Sequence, residues 1–221
     1  MDNSAILHLI TGVVLSVLAF LGYQKLIGPR YCAFALLPIL LALEQFSAAI
    51  IIISVQYPSL FFLNDFFTLL LVILSQVIWP IWVPFALQRM EVTWSIRKVL
   101  NFFIYLGIVV ALLTTWDIIF YNVEVHIVED HLYFVQPIRG FFQKFGVYLW
   151  ITTTVLPAFI AYTRRVWLFG GVLAVAYTYI IYQNHNDFIF FTPLLAVALA
   201  VAVYVVLLEV KIEDEGIQLN I

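Results

Sequence analysis

The sequence predicts an all-α membrane protein, a bundle of seven transmembrane helices with a small β-hairpin in the outer loop between helices 4 and 5. Three observations predict it. Of 221 residues, 65% are hydrophobic and 10% charged, with a mean hydropathy of +1.07, whereas soluble domains are roughly 25% charged. The apolar residues fall in runs of ~20, the length that crosses hydrocarbon at ~1.5 Å of helix per residue. Lys and Arg, finally, collect on alternate connections between those runs.

In chain order the spans fall at about 5–24, 31–55, 66–87, 98–120, 142–163, 166–183 and 187–208. Backbone groups in lipid must pair within their own segment, so each run is expected to be helical. Asp2 stands where a cleavable signal carries positive charge, and the run from Ile6 lacks a cleavage site, so it reads as the first span. Pro38, Pro80, Pro84, Pro157 and Pro193 are placed inside spans, where each frees a carbonyl one turn back and can kink the helix. The domain reading is one transmembrane unit over 1–208 and a short cytoplasmic tail over 209–221.

Orientation follows from the basic residues. Lys25, Arg30, Arg89, Arg97, Lys98, Arg164, Arg165 and Lys211 all fall on one side of a seven-span chain, leaving only Arg139 and Lys144 on the other. Cytoplasmic loops carry the excess of Lys and Arg. The N-terminus is therefore expected outside and the C-terminus inside a bacterial inner membrane. All four histidines then map to the outer side.

The loop after span four, about 121–137, alternates as a strand pair does. Turning at Glu129-Asp130, YNVEVHIVEDHLYFVQ pairs Val128 with His131, Ile127 with Leu132 and His126 with Tyr133. Successive side chains on a strand point to opposite faces, so Glu124, His126, His131 and Tyr133 share one face. That face is expected to turn towards the bundle.

Glu44 is the sharpest chemical signal. It lies mid-span in LLALEQFSAAIII, where an ionised carboxylate costs at least ~2.5 kcal/mol. Gln76 lies at similar depth in span three and, with Gln45, Ser47 and Ser75, is an expected hydrogen-bond partner. The functional reading is a proton-accepting, ligand-binding or metal-binding carboxylate; the plain one is a protonated Glu joining helices. Aromatic residues such as Trp79, Trp82, Tyr148, Trp150, Tyr177 and Tyr179 are candidates to line a pocket, though most aromatics in such a chain face lipid or core.

His126, His131 and His185, with Asp117, Glu124, Asp187 or Glu44, offer the donor types that a divalent metal such as zinc takes. No H-E-x-x-H or other tight helical spacing supports them. The single cysteine, Cys32, excludes an internal disulfide and a Cys-based metal site. No P-loop, dinucleotide turn or G-x-S-x-G is present, and nothing points to nucleic acid. Lys25, Lys98, Lys144 and Lys211 all lie at or beyond span ends, which excludes a retinal Schiff base.

LALEQ in span two, VIWPIWVP in span three, HLYFVQ in the outer loop and the late YQNHN resemble an uncharacterised family of small bacterial seven-helix membrane proteins. The resemblance covers nearly the whole chain. It implies seven spans and draws attention to Glu44, Gln45, Trp79, Pro80, His131, Tyr133 and His185, without an activity attached. The helical histidine pair of seven-helix zinc hydrolases of the ceramidase and progestin-receptor type is missing.

The ligand-binding set expected is Glu44, Gln45, Gln76, Trp79 and Tyr133, with His126, His131 and His185 for a metal. The expected function is a sensor or binding protein that takes a small molecule, lipid or ion in an outward cavity centred on Glu44. The partners expected are the bilayer, that ligand, and a protein partner or second copy. A metal-dependent membrane hydrolase and a small proton-coupled transporter are the competing readings.

Overall fold

The computed structural model describes residues 3–26, 28–120, 124–128, 131–135, 141–163, 165–183 and 192–218. Among them five helical stretches are long and apolar enough to cross a membrane: Asn3–Gln24, Pro29–Gln56, Ser59–Met90, Trp94–Phe120 and Pro193–Lys211. Shorter apolar helices run over Tyr148–Ile160 and Val166–Tyr179. The chain is an all-α membrane protein in its main body.

The first helix, α1 (Asn3–Gln24), is followed by a short turn and by α2 (Cys32–Ala35). At Leu36 the helix breaks and restarts as α3 (Leu37–Gln56). Pro38 sits in the first turn of α3, where its missing N–H has no helical acceptor to serve. Within the longer helical stretch Pro29–Gln56 it lies just after the break at Leu36. A 3₁₀ stretch then leads into α4 (Asn64–Val72), a π-helical segment over Ile73–Ile78, and α5 (Trp79–Met90). These last three form one bent element. Pro80 removes the donor that the Gln76 carbonyl would take in a regular helix, and the wider π turn lies immediately before it.

The long α6 (Trp94–Phe120) crosses next, and strands β1 (Glu124–Val128) and β2 (His131–Val135) come after it as an antiparallel pair. Their register sets Val128 opposite His131, Ile127 opposite Leu132 and His126 opposite Tyr133. The chain returns through α7 (Phe141–Ile160), α8 (Val166–Gln183) and α9 (Pro193–Gln218). One expectation changes here: Pro193 is the first residue of α9, not an interior kink. The helix runs on through residues 209–218, where EVKIEDE holds no breaker before Gly216.

Packing explains why the helices stay together. α1 lies along α3, α5 along α6, and α9 against α1 and α8. Gly107 on α6 marks the closest approach: a Cβ there would fall on the carbonyl of Pro80, 2.7 Å from its carbon. Small residues admit such crossings, and van der Waals contact between backbones is what joins helices in lipid. Leu15, Phe34, Leu37, Leu41, Trp79, Leu87, Phe169 and Tyr177 fill the centre. By contrast Phe102, Tyr105, Leu112 and Trp116 on α6 are exposed, as a lipid-facing surface requires.

Candidate functional site

Glu44 is fully buried in the middle of α3. Its Oε1 accepts a hydrogen bond of 2.6 Å from Trp79 Nε1, and Trp79 is equally buried. The partner is the indole, not Gln76 or the serines. Those hydroxyls turn back on their own helices, Ser47 to the Leu43 carbonyl and Ser75 to that of Leu71. Gln76 is half-buried. A π turn holds more residues than an α turn and so rotates the helix beyond it; here Trp79, the residue just after, meets α3.

Gln45 points elsewhere. Neighbouring positions on a helix diverge by about 100°, and Gln45 meets α1 instead, its Oε1 lying 2.7 Å from His8 Nδ1. That geometry places a proton on Nδ1, since an amide oxygen only accepts. The adjacent polar pair of span two thus divides its work. Gln45 ties α3 to α1, and Glu44 faces α5.

A second group of buried aromatic residues lies on α7 and α8. Tyr177 of α8 is buried beside Thr154 of α7 and within electrostatic reach of Glu44. Trp150 of α7 packs edge-on against Tyr177, with ring centroids 4.8 Å apart and planes at 71°. Trp79 is thus the aromatic side chain bonded to the carboxyl, and Trp150 and Tyr177 form a buried pair between α7 and α8. Among the described residues, Glu44 Oε2 and Trp150 Nε1 have no hydrogen-bond partner. In a water-free interior such atoms are rare and costly.

Of the aromatic residues expected at a pocket, the structure brings Trp79 to Glu44 and pairs Trp150 with Tyr177. Trp82 instead donates to the Ala33 carbonyl at 2.9 Å, joining α5 to α2. Tyr148 and Tyr179 are exposed. His185 lies outside the described residues, as do the side chains of His126, His131 and Tyr133. Among the described residues no three His, Cys, Asp or Glu side chains gather as metal ligands would.

Sequence reasoning passed over three polar contacts. The His8–Gln45 pair is one. At the other end of the bundle, Glu91 is buried between α5 and α6. Its Oε1 accepts from the backbone N–H groups of Val92 and Thr93, both at 3.0 Å, and its Oε2 from that of Tyr162 at 2.7 Å. One carboxyl thus caps the start of α6 and holds the end of α7. Nearby in sequence to that end, Arg165, in a left-handed backbone conformation (φ 58), pairs with Glu209 at 2.7 Å.

No protein-family model, no curated protein and no solved structure matches this chain.

Proposed function

We propose that the chain is a seven-span protein of a bacterial inner membrane that binds a small molecule, lipid or ion around Glu44, as a binding or sensing protein. Its N-terminus is outside and its C-terminus cytoplasmic. One observation carries the reading: Glu44 is fully buried, with Oε1 held by Trp79 and Oε2 left without a partner among the described residues. A carboxyl kept only to join helices would use both oxygens, because an unpaired buried acceptor costs ~1–3 kcal/mol. The buried indole of Trp79 sets an aromatic wall beside the carboxyl, which suits the carbon frame of a ligand. The orientation rests on the eight basic residues that share one side.

Native mass spectrometry of the full chain released from lipid nanodiscs tests it. The wild-type protein is expected to carry a bound species that Glu44→Gln loses while keeping its helix content and thermal midpoint. Glu44→Gln preserves shape and the Trp79 bond but removes the titratable group. Equal adducts on both proteins, or none on the wild type, would make Glu44 a helix joint and overturn the reading.

A further inference from the structure

Gln76 stands on a face of its helix that the rest of the chain leaves open. Along the bent element that runs from α4 into the π segment, Phe66, Leu69, Ile73 and Gln76 follow one another at intervals of three, four and three residues. That spacing keeps side chains on one side of a helix, and it is the seam spacing of helices that pack on each other. Phe66 and Leu69 are exposed, whereas Ile73 and Gln76 are half-buried. Gln76 is the one polar member of this stripe. Its polar neighbours are provided for: Ser75 donates to the Leu71 carbonyl and Gln45 meets His8. The Gln76 amide makes no hydrogen bond among the described residues.

Its depth rules out solvent as the missing partner. Trp79, three residues further on, is bonded to Glu44 in the middle of α3, so Gln76 lies within ~5 Å of that level. With a hydrocarbon core ~30 Å thick, the nearer interface is about 10 Å away, and the core holds no water to bond the amide. A primary amide needs an acceptor and a donor together. A second copy of the chain supplies both. Copies inserted the same way are related by a two-fold axis along the membrane normal, which sets every residue at the depth of its own counterpart. We propose that this stripe is the contact between two copies of the chain, with each Gln76 Nε2 donating to the partner's Gln76 Oε1. Phe66, Leu69 and Ile73 pack around the amide pair, since close packing and interhelical hydrogen bonds are what join helices in lipid. The contact is independent of what Glu44 binds.

The test is energy transfer between donor-labelled and acceptor-labelled copies of the full chain in liposomes, over a series of protein-to-lipid ratios. Cys32, the single cysteine, carries the label. The wild-type chain is expected to dimerise. Gln76→Leu should raise the dissociation constant about tenfold, the worth of two hydrogen bonds between membrane helices, and Gln76→Asn, which keeps an amide, should raise it less. A second measurement does not depend on those variants. In a Cys32→Ser background, Ile73→Cys is expected to form a disulfide-linked dimer on oxidation with copper phenanthroline. Leu112→Cys, on the exposed face of α6, should form none. A monomer at every ratio, a dimer that Gln76→Leu leaves unchanged, or linkage through position 112 in place of 73 would each overturn the interface. A monomer would also assign the Gln76 amide to a different protein or to a molecule dissolved in the membrane.

Discussion

The bond between Trp79 and Glu44 is the joint on which the site depends, and a double-mutant cycle measures it. Trp79→Phe keeps an aromatic ring in a fully buried position but removes the N–H that reaches Glu44 Oε1 at 2.6 Å. Glu44→Leu removes the other partner and both of its lone-pair sets. Hydrogen bonds between membrane helices contribute ~0.6 kcal/mol on average and at most ~1.7 kcal/mol, because unfolded states in lipid also find partners. This one is short and reaches no water, so the upper end applies, about 1–1.7 kcal/mol. Trp79→Phe alone then costs about 2–3 kcal/mol, the lost bond plus on the order of 1 kcal/mol for the volume removed. The double variant should be more stable than the sum of the singles by the coupling energy. Equilibrium unfolding in mixed micelles, followed by helix content, reads all four corners. Additivity within about 0.3 kcal/mol, the precision expected of independent sites, would refute the joint.

Gly107→Ala sets a methyl against the Pro80 carbonyl, a backbone atom that cannot rotate away, and overpacking of this kind costs ~1–3 kcal/mol; unfolding midpoints unchanged from wild type would show that α5 and α6 separate freely. Glu91→Ala removes the acceptor for three backbone N–H groups and is expected to cost about 2–3 kcal/mol. Its effect should appear in hydrogen exchange as fraying of the start of α6 together with the end of α7, and fraying of one alone would break the clamp argument. For orientation, a cysteine at position 130 in a Cys32→Ser background should react with an impermeant thiol reagent on intact cells. Reaction only after lysis would invert the topology.

The apolar runs and the depth of Glu44 could be read from the chain because both obey one-dimensional rules. A carboxyl in the middle of LLALEQFSAAIII has to be inside, whatever surrounds it. Its partner could not be read in that way. Depth alone makes Gln76 as good a candidate as Trp79, and only the π turn over Ile73–Ile78 decides between them by rotating the helix beyond it. A proline at position 80 warns of a distortion but does not say which turn absorbs it. Trp150 and Tyr177 could be named only among six aromatic candidates, for another reason. Their helices, α7 and α8, read as nearly uniform apolar runs, and such runs carry no amphipathic stripe to show which side faces the core. Polar residues that stand alone in apolar spans therefore announce that a site exists, whereas the aromatic residues that complete it are chosen by helix rotation. Trp79 is the case in point, because its bond to Glu44 Oε1 is displayed only by the folded chain.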